Sequence, residues 1–389
     1  MLLGFLTEMY ATEGPYATVY LQPREVGEDA ASQLGLRWQP LAQRLRAEGA
    51  DTATVAALEA AVVGDPRVPQ GRPGAIGAQG RALAAGSGRL LLNRPLRRGP
   101  TQAGAAGLSQ DEARWAPLPH LGPLLAYEQR LAPHLLVVAD RLGADVHVVT
   151  NGLDHVTVVR GEEHPLHKVR SGGWSHRRVH RRVENAWDHN AALVAESITK
   201  LLVRHRARLV LLAGDVRARA AISDRLPATV RRMVVETEHG GRAPGAAEGP
   251  LREEVARIAA DWARRDHGRL MEKFATEREH SERAAEGLEQ VIEAARLGQI
   301  DTLLLAPGAR RERRVWVGPA GHQLALSKIE LERFGAEEYA ADRADAALIR
   351  ACVLHGAKIE LLDRDDLAVR DGVAALLRYS LRAEPALTP

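Results

Sequence analysis

Apolar residues along this chain follow two rhythms. Short runs of branched or small apolar residues, bounded by Gly, Pro or charges, occur at 16–21 (YATVYL), 88–93 (GRLLLN), 135–139, 146–150, 156–160 (VTVVR), 209–213 (LVLLA), 233–236, 301–305 (DTLLL), 314–318 (RVWVG) and 359–362. Runs of this length and bounding predict strands. Other stretches repeat apolar residues three and four apart and predict helices. These are 34–48 (Leu34, Leu41 and Leu45 on one face), 51–63, 215–225 and 344–355, with 251–298 as two helices around a domain boundary. The helical period is strongest from 175 onward. There Val179, Val183, Ala186, Trp187, Asn190, Val194, Ile198 and Leu201 fall within a stripe of roughly 120°. Ser175 is placed as its N-cap.

Gly- and Pro-rich stretches at 66–74, 95–110 and 238–250 read as loops, and 118–125, with Pro119 and Pro123, as a connection. The His239-Gly240-Gly241-Arg242 segment reads as part of a flexible loop. The order of elements predicts an α/β chain of three domains. The first is an α/β domain at 1–130. The second, at 131–262, is a central mixed-sheet domain with a long helix after a Gly-Gly tip loop. The third, at 263–389, is an α/β sandwich-like domain.

Composition changes this picture in three places. Aromatics make up only 4% of the 389 residues, so Ala, Leu and Val must build the cores. Net charge is only +3, so any attraction to polyanions has to be local. The single cysteine, Cys352, sits in an apolar helical pattern and is expected in a core. One cysteine excludes a disulfide within the chain and fits a reducing cytoplasm. The apolar start soon meets Glu8 and is too short for a signal peptide or membrane span. A cytoplasmic monomer without membrane attachment is expected.

The most distinctive chemistry lies between Lys168 and Arg182. Gly172-Gly173 is followed by Trp174 and then by Arg177, Arg178, Arg181 and Arg182, with His176 among them; Lys168 and Arg170 precede the glycines, and no acid occurs until Glu184. Adjacent glycines make a side-chain-free tip that can lie close to another molecule. Guanidinium forks match phosphate oxygens. A helix N-terminus disfavours cations, so arginines collected there suit an external polyanion. RNA contact is therefore assigned to Lys168, Arg170, Gly172, Gly173, Trp174, His176, Arg177, Arg178, Arg181 and Arg182.

Other constellations are weaker. His164-x-x-His167 and His176-x-x-x-His180 have metal-like spacing, but no third ligand is singled out and the surrounding arginines oppose a dication. Asp140, Asp145, Asp154 and Asp188 near strand and helix ends would suit magnesium in a nuclease-like sheet, yet each also suits a turn or solvent. There is no P-loop, G-x-S-x-G or G-x-G-x-x-G, so no nucleotide or other cofactor is expected. No metal and no catalytic residue is assigned.

The Ser171-Gly172-Gly173-Trp174-Ser175 tip with its basic helix resembles the Gly-Gly-Gln segment of archaeal and eukaryotic class-1 release factors. The closing 372–379 (GVAALLRY) is similar to their third domain, and the three-unit order matches release factors and Pelota. Within that superfamily the pattern looks most like the bacterial members, and among them the Balon-type ribosome hibernation factors. In release factors the glutamine positions water for attack on the peptidyl-tRNA ester. Here Trp174 stands in its place, and no glutamine occurs between Gln129 and Gln290. Indole has one N–H donor and no carbonyl acceptor, so it can stack or wedge but not replace the amide. The resemblance implies a non-enzymatic hibernation factor in the ribosomal A site. Its tip would lie on rRNA near the peptidyl-transferase centre and its second and third domains would meet a translational GTPase, EF-Tu in bacteria. The alternative is a peptidyl-tRNA hydrolase or rescue factor with another base, such as His176.

Overall fold

The computed structural model describes residues 4–23, 30–63, 80–96, 110–130, 132–150, 153–160, 174–242, 248–280, 283–306, 313–363, 366 and 368–379. The chain is α/β, as expected. It packs as two compact units, one of residues 130–264 and one in which 1–129 joins 265–389.

The first segment contains β1 (Tyr16–Leu21), α1 (Ala30–Ala47), α2 (Thr52–Val63), β2 (Gly80–Gly86), β3 (Arg89–Leu96), β4 (Glu112–Ala116) and α3 (Gly122–Gln129). Its strands form an antiparallel sheet in the order β3-β2-β1-β4. All six residues of β1 are buried because both faces are covered. Successive side chains point to opposite faces of a strand. Ala17, Val19 and Leu21 therefore meet Trp38, Leu41 and Leu45 of α1 and Val55 and Leu58 of α2. Tyr16 and Tyr20 point into a second core with Leu121, Leu124 and Leu125. The second half of the stretch read as a connection, 118–125, forms the first half of α3. Pro123 sits in its first turn, where a missing N–H costs no helical bond.

The central unit comprises β5 (His134–Asp140), β6 (Gly143–Thr150), β7 (Leu153–Arg160), α4 (Trp174–His205), β8 (Leu209–Gly214), α5 (Val216–Arg225), α6 (Ala228–Arg231), β9 (Val234–Glu236) and the first half of α7 (Glu248–His280). The five strands run β7-β6-β5-β8-β9, with β7, β6 and β5 antiparallel and β8 and β9 parallel to β5. Leu135, Val137 and Ala139 of β5 face α4 and α5. Val138, with Leu209 and Leu211 of β8, faces Leu251, Val255 and Ala259 of α7.

The expected pair of helices over 251–298 is present as the 33-residue α7 and as α8 (Leu288–Arg296), with β10 (Ala284–Glu286) between them. No proline interrupts α7 after Pro250, and Gly268 alone is tolerated in a helix interior. Its second half turns Leu270, Met271 and Phe274 onto the last sheet.

That sheet is built from β10, β11 (Ile300–Leu305) and two later strands. The remaining elements are β12 (Arg314–Val317), β13 (Leu324–Ala325), α9 (Lys328–Arg333), β14 (Ala340–Arg343), α10 (Ala344–Leu354), β15 (Lys358–Leu361) and β16 (Val373–Leu377). The order is β10-β16-β11-β15, with a small separate sheet β13-β12-β14. Leu303, Ala375 and Leu377 face a core shared with α8, α10 and residues of the first segment. Leu304, Ala374 and Leu376 face Phe274. Cys352 lies in the shared core, where burial pushes its thiol up to about 12.

Fully buried Asp342 joins the first and third segments. It accepts hydrogen bonds from the Arg114 guanidinium, from the Leu118 N–H at 2.8 Å and from the Arg343 N–H at 2.7 Å. Among the described residues, no helix is long and apolar enough to cross a membrane.

His267, on the second half of α7, lies between two carboxylates. Its Nδ1 is 2.8 Å from Glu360 Oε1 and its Nε2 is 2.8 Å from Asp366 Oδ2. The hydrogen bond with Glu360, aided by Asp366 and opposed by burial, raises its pKa from the ordinary 6.5 to about 9. A pKa raised on folding contributes stability that is complete below the unfolded value and lost as pH rises through the folded one. Thermal unfolding should therefore show stability declining between about pH 6.5 and 9, and His267→Leu should flatten that decline.

Candidate RNA-facing helix and its anchorage

Lys168, Arg170, Gly172 and Gly173 lie outside the described residues, as do His164 and His167. Trp174, His176, Arg177, Arg178, Arg181 and Arg182 belong to the helical backbone of α4, and their side chains lie outside the described set. The helix starts at Trp174, so Ser175 falls in its first turn and not at the N-cap. At 32 residues, α4 is about 48 Å long.

Its described anchorage begins at Ala186. Ala186, Asn190, Ala191, Val194, Ala195, Ile198 and Leu202 are buried. From Ala191 onward the apolar members of this set pack on the sheet. This follows the described part of the predicted stripe, with Leu202 in the core beside partly buried Leu201 and small residues added where helix and sheet approach; the Val179 and Val183 side chains lie outside the described set. Val194, Ile198 and Leu202 each contribute roughly 1.5–3 kcal/mol by leaving water. Polar contacts fix the rotation of the helix. The Asn190 amide donates to the Arg141 carbonyl at 3.1 Å, and the Arg141 guanidinium lies 4.4 Å over the Trp187 ring. Asp188 pairs with Arg225 of α5 at 2.8 Å.

The same unit carries the chain's positive charge. Residues 130–264 hold 22 Lys and Arg against 16 Asp and Glu, net +6, while the remaining residues hold 31 against 34. The stretch from Lys168 to Arg182 supplies six of those cations and no anion, so the rest of the unit is balanced at 16 against 16.

Of the four aspartates considered for magnesium, the described Asp140, Asp145 and Asp188 do not assemble as a metal site. Arg242 reaches Asp140 at 2.8 Å and grips Asp145 with two hydrogen bonds of 3.2 Å. Burial opposes the charge on Arg242, but the bonds to Asp145 and Asp140 outweigh it and hold its pKa above the usual arginine value. Asp140 also accepts the N–H groups of Leu142 and Gly143, closing the turn between β5 and β6. Asp188 is engaged with Arg225, and the Asp154 side chain lies outside the described set. Among the described residues, metal-like spacing occurs at His267, Asp363 and Asp366, far in sequence from the aspartates above.

Arg242 was not assigned a role by sequence reasoning, which read its Gly-Gly-Arg segment as flexible. An arginine closing such a segment has no signal of its own; its partners lie about a hundred residues upstream. Gly240, with φ of 104°, is required there, since a Cβ would come 2.8 Å from Leu251. Gly214, with φ of 103°, turns β8 into α5, and a Cβ on it would lie 2.0 Å from the Ala139 carbonyl oxygen.

A mixed five-stranded sheet, with a long helix beginning directly after a Gly-Gly pair and cations gathered in that helix's first turns, defines a release-factor-like protein. The chain belongs to the bacterial archaeo-eukaryotic release factor family. Residues 133–280 match bacterial archaeo-eukaryotic release factor family 2. Over nearly its full length the chain is similar to two proteins of Mycobacterium tuberculosis, uncharacterized protein MT2704 of strain CDC 1551 and uncharacterized protein Rv2629 of strain H37Rv. Each is 30% identical over 378 residues, covering 96% of this chain and 95% of the relative. Solved structures similar to it include archaeal Pelota in a ribosome-bound assembly with ABCE1, at 14% identity, 98% and 95% coverage and a TM-score of 0.41. The archaeal translation termination factor aRF1 is 15% identical with 96% coverage of both chains and a TM-score of 0.27.

Replacing Arg242 with alanine should leave Asp140 and Asp145 without their shared cation. The expected loss is about 1–3 kcal/mol in urea unfolding of the full chain, with the central-unit amides exchanging faster.

Proposed function

We propose that this protein occupies the ribosomal A site as a non-hydrolytic silencing factor of the hibernation type. Membership in a release-factor family supports ribosome binding. The observation that carries the non-hydrolytic reading is Trp174. It opens α4 directly after Gly172-Gly173, where the release-factor pattern has glutamine. An indole cannot both donate to and accept from a water molecule as an amide does. It can instead fill an apolar slot or stack on a base near the peptidyl-transferase centre.

The helix supplies the electrostatics. At 100° per residue, positions 177, 178, 181 and 182 centre about 140° away from the buried stripe that begins at Ala186. By the same period positions 178 and 182 align with exposed Glu196 and Lys200, the side of α4 left free by the sheet, and suit rRNA phosphates, while position 177 aligns with buried Ala195. In this reading the first segment lies towards the decoding centre, EF-Tu is the translational GTPase partner, and the protein acts in the cytoplasm as a monomer.

Ribosome co-sedimentation across a salt series tests the proposal. Wild-type protein should pellet with ribosomes at low salt and dissociate steeply as salt rises. Arg177→Glu/Arg181→Glu should bind at least about ten-fold more weakly and reduce the salt slope by about 1–2. Wild type that fails to pellet, or a double variant that binds like wild type, would remove the proposal. On stalled ribosomes no peptide should be released from peptidyl-tRNA. Release that is lost in His176→Ala would replace silencing with the hydrolase reading.

A further inference from the structure

On the buried side of the helix, α4 and α5 enclose a cleft of about 110 Å³ that is open to solvent. Ala191, Val194, Ala218, Ala221 and Ile222 form an apolar floor. Trp187 and Arg141 line one side, with the guanidinium stacked 4.4 Å over the indole and the Arg141 side chain 41% exposed.

The charges around it are nearly all matched. Asp140 is held by Arg242, Asp188 by Arg225, and Asp215 caps α5 while lying 3.8 Å from Arg141. Arg217 is exposed at the rim, and its side chain forms no ion pair among the described residues. The cleft therefore offers a flat stacked cation–indole wall, an apolar floor and one surplus cation at the edge. Unpaired RNA bases are recognised by stacking on aromatic rings and guanidinium planes, and their phosphates by arginine.

We propose that this cleft binds one unstacked nucleobase of RNA, with the base against the Arg141–Trp187 pair and its phosphate at Arg217. The inference rests on the ribosome-binding reading above and deepens it. RNA would meet α4 on two faces, by phosphate contacts along the arginine positions and by stacking in the cleft. Trp187 follows Arg177 to Arg182 by five to ten residues, about 8–15 Å along the helix. Both contacts therefore fall within reach of one RNA element.

The two modes differ in their response to salt, and this gives the test. Ala221→Trp fills the cleft, and Arg141→Leu removes the stacked cation while leaving the cleft open. Both full-length variants are compared with wild type by ribosome co-sedimentation over the salt series, with circular dichroism to confirm folding. Each should weaken binding about ten-fold at every salt concentration while leaving the slope close to that of wild type, because a base stack releases few counterions. Ultraviolet crosslinking of the wild-type complex should join rRNA to the peptide containing Trp187. If wild type binds ribosomes and both folded variants bind equally well, the cleft proposal is overturned while the ribosome reading stands. Crosslinks from Trp187 to a ribosomal protein, or wild-type binding of free AMP as tight as binding to ribosomes, would also overturn it. If wild type does not bind ribosomes at all, the failure lies in the parent reading.

Discussion

Everything distinctive about the central unit depends on how firmly the second half of α4 is held. Ala191, Ala195, Ile198 and Leu202 lie flat on the mixed sheet, and small residues let helix and strands approach closely. A helix nucleates poorly on its own, and most helical stability in proteins comes from packing of an apolar face. The turns from Trp174 to Asn185 are thus extended from a base whose position is already decided. Asn190, Arg141 and Trp187 set the rotation of that base, and so the direction in which each later-facing residue points.

The electrostatic pattern has the same logic. In the body of the central unit, acids and arginines cancel within a few ångströms: Asp140 and Asp145 with Arg242, Asp188 with Arg225, Glu236 with Arg219 at 2.9 Å. By count, the unit's excess of cations lies in the stretch from Lys168 to Arg182. A local excess on a neutral body attracts a polyanion in one orientation, whereas a uniformly basic surface would bind it in many.

Much of the fold was legible because strands with branched residues announce themselves. β1, β5, β8 and β11 appear within a residue or so of where YATVYL, LLVVA, LVLLA and DTLLL predict them. β2 (GRALAAG) was missed, since Gly and Ala carry little strand preference and only pairing with β1 makes them extended. β4 (EARWA) was missed for a similar reason: its charged residues hide an alternation that depends on β1 alongside. The two helices expected over 251–298 are α7 and α8; the apolar residues of α7 serve two cores, so its stripe changes face partway along. At the site, the apolar period identified α4 and the residue types identified its basic end. Arg242 and Arg141 could not be found this way, because their roles come from partners brought close only by the fold.

One core in the other unit is assembled from the two ends of the chain. Leu121, Leu124 and Leu125 share it with Val373, Ala375 and Leu377. On a translating ribosome these groups are separated by the whole intervening sequence, about 250 residues, or roughly 10–50 s of synthesis. During that interval the central unit, contiguous in sequence, is complete, while the amino-terminal sheet still has an uncovered apolar face. The protein's own birth is therefore the period of its greatest exposure to misassociation, and a slowed ribosome would prolong it.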